Sequence, residues 1–156
     1  MRGWYALGSG RQNTEMMRAQ MHNDSMSIRV QRRFDYANSG EIAGIYGKLT
    51  AGMGEAFLEP TAEALALLSE EELYRFRSDT IGMRDYLADL FYQCRSGYLD
   101  DEFCDYWLRN QIAAMLKIWA AAEILIIGQR PSFLREIQRI GREEGLPIPN
   151  DEGRWD

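Results

Sequence analysis

The chain has 156 residues, 46% of them apolar and 27% charged, with a net charge of −6 and a pI near 4.9. That length supports one sizeable core and is too short to expect two, so a single domain is the default. An acidic body repels phosphate backbones, so nucleic acid is disfavoured as a partner.

Residues 1–33 form a basic N-terminal arm, expected to be only partly ordered, with a helix over 14–21. Arg2, Arg11, Arg18, Arg29, Arg32 and Arg33 against Glu15 and Asp24 leave 1–34 at +4, so the remainder carries −10. This asymmetry suits contact with an acidic protein, with an anionic membrane surface or with the acidic body of a neighbouring copy. Trp4 and Tyr5 beside Arg2, and the methionines Met16, Met17, Met21 and Met26, suit an adaptable amphipathic contact.

Residues 34–145 form the helical domain. Ile42, Ile45, Tyr46 and Leu49 recur at helical spacing after a cap at Asn38 or Ser39. Gly40, Gly44 and Gly47 weaken that helix, at ~1 kcal/mol per interior glycine relative to alanine, and imply close packing on its neighbour. Gly47-Lys48-Leu49-Thr50 has neither the order nor the preceding strand of a phosphate loop. A short helix over 61–68 follows Pro60.

Residues 69–127 dominate the pattern. Ser69 followed by Glu70-Glu71-Glu72 reads as a capping box at the positive end of a helix. Leu73, Phe76, Thr80, Met83, Leu87, Leu90 and Cys94 then make one continuous apolar stripe, with Arg75 and Asp79 an i,i+4 pair. Gly97 is a left-handed stop and Asp100 a cap, so a second helix is expected to fold back on the first. Phe103, Trp107 and Ala114 mark one side of it. From 112 to 127 only Lys117 and Glu123 are charged, which predicts a helix buried on most faces or used as an interface. At ~24 Å it falls short of a hydrocarbon core of about 30 Å. Its Ile118, Trp119, Leu125 and Ile126, with Trp4, Arg11, Arg18, Arg29, Arg32 and Arg33 of the arm, form the candidate interaction surface.

Gly128 stops this helix, and Pro131 starts a last one through Phe133, Leu134, Ile137 and Ile140, closed by Gly141 or Gly145. Arg135, Arg139 and Arg142 are expected near its negative end. Residues 146–156 read as an irregular, loosely held tail.

No catalytic residue, metal ligand set or cofactor site emerges. His22 stands alone in the arm, without a second histidine at ligand spacing. Asp85, Asp89, Asp100, Asp101, Glu102 and Asp105 are an acidic group that a metal enzyme could use, but carboxylates at a helix start are first of all caps. Cys94 and Cys104 stand at similar distances from the turn, which would allow them to face each other. Without a recognisable secretory signal they are read as reduced core residues, which places the protein in the cytoplasm or at the cytoplasmic face of a membrane.

Leu68-Ser69-Glu70-Glu71-Glu72, Arg75-Phe76-Arg77, Trp107 and the run from Tyr92-Gln93-Cys94-Arg95 through Gly97-Tyr98-Leu99-Asp100-Asp101-Glu102 carry a resemblance. With Asn38, Glu41 and Ile42 before them and Phe133 to Ile137 after, the chain resembles, over about 37–140, a group of uncharacterised bacterial helical proteins. The resemblance implies a helical-hairpin fold and no activity, ligand or cofactor. Many such relatives look as though they carry a membrane helix ahead of this domain; here the arm has no apolar run of that length. The expectation is therefore an all-α helical bundle organised around a long antiparallel helical hairpin. It would act as a non-enzymatic interaction protein or assembly subunit, binding itself or a larger complex; the alternative is a peripheral membrane accessory protein attached by its basic arm.

Overall fold

A computed structural model of the protein describes residues 5–51 and 60–155. The fold is all-α: six α-helices and one π-helical segment, with no strand among the described residues. They are α1 (Tyr5–Asn38), α2 (Gly40–Ala51), α3 (Ala62–Leu65), α4 (Glu70–Arg95), α5 (Arg109–Ala121) and α6 (Pro131–Glu144), with the π-helical segment Phe103–Leu108 leading into α5.

The basic arm is far more regular than its composition implied. α1 is one helix of 34 residues that runs through the expected boundary at 33 and stops at Asn38. Only Ser39 separates it from α2, and the backbone bonds from the Ser39 amide to the Asp35 carbonyl and from the Ala43 amide to the Ser39 carbonyl bridge the joint. The Ser39 hydroxyl accepts from the Ile42 amide at 3.3 Å and caps α2. Ile45 and Leu49 are buried, and Tyr46 meets Phe76 edge-to-face at 5.7 Å while its hydroxyl donates to Asp79 at 3.1 Å. This face of α2 rests on the first half of α4, where Lys48 pairs with Glu72 at 2.6 Å and Arg75 with Glu41 and Glu71. Arg75, expected to reach forward to Asp79, thus ties two helices together. The glycines are not what lets α2 approach: a Cβ on Gly44 or Gly47 would meet nothing within 4 Å.

α3 is a single turn, shorter than expected, capped by the Thr61 hydroxyl on the Ala64 amide at 3.1 Å. α4 begins on the expected capping box, with the Glu72 amide donating to the Ser69 hydroxyl and the Ser69 amide to the Glu72 carboxylate. Its stripe buries Phe76, Thr80, Leu87 and Leu90; the Thr80 hydroxyl donates to the Phe76 carbonyl at 2.7 Å and leaves no orphan. Gly97 takes φ +70° at the turn, and Asp100 accepts from the Phe103 amide at 2.8 Å.

Two expectations fail beyond that turn. Cys94 and Cys104 are joined in a disulfide, with Cα atoms 5.8 Å apart, so they are not reduced core thiols. The bond staples the end of α4 to the π-helical segment, where Phe103 and Trp107 stack at 4.9 Å. The second arm of the expected hairpin also ends early, at Ala121 instead of 127. Beyond it Glu123 takes a positive φ of 54°, and Ile124 to Ile127 are not helical. Their exposure alternates: Ile124 3%, Leu125 40%, Ile126 2%, Ile127 51%. Period two with β-branched residues is the signature of an extended segment, which the density of apolar residues hid in the sequence. α4 thus packs against a shorter, composite helix, and a hairpin arm reaching to 127 is not seen.

The tail is irregular, as expected, but it is docked. The Ile126 amide donates to the Gly153 carbonyl at 2.8 Å and the Trp155 indole to the Ile124 carbonyl at 2.7 Å. Pro149 is fully buried, and the Gln138 amide group donates to the Pro149 carbonyl and the Asp151 carboxylate. α6 lies against α5, burying Phe133, Ile137 and Ile140, and closes at Gly145 in the left-handed region. Across this contact Arg109 of α5 grips Glu143 and Glu144.

Candidate functional site

α1 is the longest element of the fold. At 1.5 Å per residue its 34 residues span ~51 Å. Every residue from Asn13 to Gln20 is exposed, and eight consecutive residues pass through more than two turns, so every face of the helix there meets solvent. Met16 and Met17 are 63% and 51% exposed, and Ile28 further along is 49% exposed. Helices in proteins owe most of their stability to a packed face. α1 offers apolar side chains that its own chain leaves uncovered.

The arm is nevertheless seated at one point. His22 is half-buried, its ring edge-to-face with Phe103 at 5.9 Å and its Nδ1 3.9 Å from Asp100. Arg18 passes over Gly97, its Nη2 3.5 Å from where a Cβ on that glycine would stand. A hollow of about 340 Å³ lies between Arg18, His22 and Asn23 on one side and Tyr98, Leu99 and Asp100 on the other. The Gly97 turn, held by the disulfide, is therefore the seat of the arm.

The sequence-derived surface divides accordingly. Arg11, Arg18, Arg29, Arg32 and Arg33 all lie on α1, and Arg18 is exposed. Trp4 lies outside the described residues. Ile118, Trp119 and Ile126 belong to the core, at 7%, 0% and 2% exposure, and are not a surface. A helix apolar on all sides needs a partner, and here the partner is the chain itself, through α6 and the docked tail. Leu125 is left, with Ile127 beside it, as the exposed remainder. Of the four methionines expected to make an adaptable contact, Met16 and Met17 are exposed large apolar side chains of the arm.

The acidic residues do not converge. Asp85 is held by Arg84 and by the Gln129 amide group at 2.8 Å, Asp89 accepts from Gln93 at 2.7 Å, and Asp100 caps the helix start. Among the described residues no three His, Cys, Asp or Glu side chains are grouped to hold a metal ion. Nor is any described helix long and apolar enough to cross a membrane.

Compared with known proteins, the chain matches no family model, no curated relative and no solved structure. The motifs behind the resemblance to uncharacterised helical proteins do concrete local work here, as the Ser69 capping box and the Gly97-Asp100 turn.

Proposed function

We propose that the protein is a non-enzymatic assembly module that associates through α1, the basic arm of one copy lying on the acidic body of a second. The observation that carries this is the run from Asn13 to Gln20, exposed on every side with Met16 and Met17 at its centre. Charge complementarity selects the occupant: residues 1–34 carry +4 and the rest of the chain −10, so a second copy presents the surface the arm is made to meet. The apolar methionines supply adaptable contact area once the charges have brought the surfaces together.

The test is a photo-crosslinking residue placed at Met16 in the full chain. Cross-linked dimers whose second attachment point maps to the acidic body support the proposal. Cross-links only to anionic lipid in the presence of vesicles would give the arm to a membrane surface, and cross-links to nothing would remove its role. The Cys94–Cys104 disulfide takes away the argument from reduced thiols for a cytoplasmic location, and it supports residence in an oxidising compartment. Alkylation of thiols in intact cells before lysis reads this directly: protection of both cysteines is the expected result.

A further inference from the structure

Where α4 ends and α6 begins, Tyr92, Arg95, Ser96, Arg130, Ser132 and Arg135 surround a cleft of about 660 Å³. No acidic residue lines it. Elsewhere in this acidic chain Arg75, Arg77, Arg84, Arg109, Arg139 and Arg154 each have a carboxylate partner. Arg95, Arg130 and Arg135 have none among the described residues. Two of them are steered by aromatic faces instead, Arg130 over Tyr92 at 4.6 Å and Arg95 over Phe91 at 5.8 Å.

The dipole of α4 explains Arg95, which sits at that helix's negative end. It does not explain the other two. Arg130 is the N-cap of α6 and Arg135 lies in its second turn, towards the positive end of the helix and not near the negative end, where all three arginines of α6 were expected. The first turn of α6 contains no acid, and its N-cap makes no side-chain capping bond. The Tyr92 hydroxyl accepts from the Arg130 amide at 3.1 Å, leaving its own proton to donate outward. Three guanidinium groups, a phenol hydroxyl and a helix start without a side-chain cap thus line one cleft with no carboxylate among them.

We propose that this cleft binds a phosphorylated small molecule, with Arg95, Arg130 and Arg135 gripping its phosphoryl group. A carboxylate is satisfied by one guanidinium fork; a tetrahedral dianion offers three oxygens and a second charge, which is what three arginines match. The volume lies in the range of small-molecule sites and exceeds one phosphate, so the group is carried by a larger body.

The experiment titrates the full chain with pyrophosphate at low ionic strength, following amide shifts by NMR and, in parallel, co-sedimentation with vesicles containing phosphatidic acid. The expected result is saturable binding with shifts confined to the end of α4 and the start of α6. It should weaken about tenfold for each of Arg95→Gln, Arg130→Gln and Arg135→Gln, while Arg142→Gln, near the far end of α6, leaves it unchanged. Arg135 is exposed, so Arg135→Gln keeps the fold, and loss of one repelling charge should leave the ligand-free melting temperature equal or higher. Binding to the vesicles alone, lost in the same three variants, supports the site with a lipid as the source of the phosphoryl group. Absence of binding to either probe, or binding as strong in Arg130→Gln and Arg135→Gln as in the unaltered chain, overturns it.

Discussion

Gly153 is the residue through which the tail closes on the core. Its φ is +75°, and a Cβ there would stand 2.7 Å from the carbonyl oxygen of Ile126, the residue whose amide its own carbonyl accepts from. Both the left-handed backbone and the contact forbid a side chain. Gly153→Ala is therefore expected to cost more than ~2 kcal/mol, read as a lower midpoint in urea, with Trp155 fluorescence shifting to the red as its indole leaves the Ile124 carbonyl. Charge at single residues sets the acid limb of stability. The Lys48 ammonium and then the Ser69 amide hold the Glu72 carboxyl below its ordinary value of 4.5, and the Arg139 and then the Arg109 guanidinium do the same for Glu143. Carboxylates whose folded pKa is depressed stabilise the fold above their unfolded pKa and lose that contribution as pH falls through the folded value. The melting temperature should thus decline below about pH 4.5, where these groups begin to protonate. Glu143→Gln should lower it at neutral pH and flatten that decline. Both carboxylates are solvated, so added salt should shrink the effect.

At the scale of elements, α2 keeps a helix that its glycines oppose. Gly44 and Gly47 face open space in the helix interior, so Gly44→Ala and Gly47→Ala should each stabilise by roughly 0.5–1 kcal/mol, additively, in thermal or urea unfolding. The same element shows what a sequence can and cannot disclose. Ser39, Ile45, Tyr46 and Leu49 were legible because caps and apolar faces follow local rules. The openness around Gly44 and Gly47 was not, because it depends on where the neighbouring helix lies. Ser69, Gly97, Asp100, Pro131 and Gly145 were likewise readable as starts and stops. The run 122–127 departs from the expected helix, since a dense apolar stretch fits a buried helix and a buried extended segment equally. Its β-branched Ile124 and Ile126 were the available cue. The arginine cleft left almost no local trace: Arg95 and Arg130 are 35 residues apart, and only the packing of α4 on α6 brings them to one place.

For the whole molecule, the disulfide and the arm belong together. Cys94–Cys104 closes a short loop around Gly97, the seat over which Arg18 and His22 of α1 lie. Closing a loop of this size restricts the unfolded chain by roughly 2–3 kcal/mol, so reduction should lower the melting temperature by about 5–10 °C for a chain of this length. Loss of that rigidity should reach α1 first, and hydrogen exchange in 13–24 should accelerate on reduction before exchange in α5 and α6 does.

The arm itself decides the account. Light scattering of the full, oxidised chain across protein concentration and ionic strength is the most direct measurement. Association at micromolar concentration that weakens with salt and disappears in Met16→Glu, Met17→Glu is the predicted result, because both the charge attraction and the apolar contact are then removed. A monomer at every concentration and salt, or an oligomer indifferent to those substitutions, would contradict it.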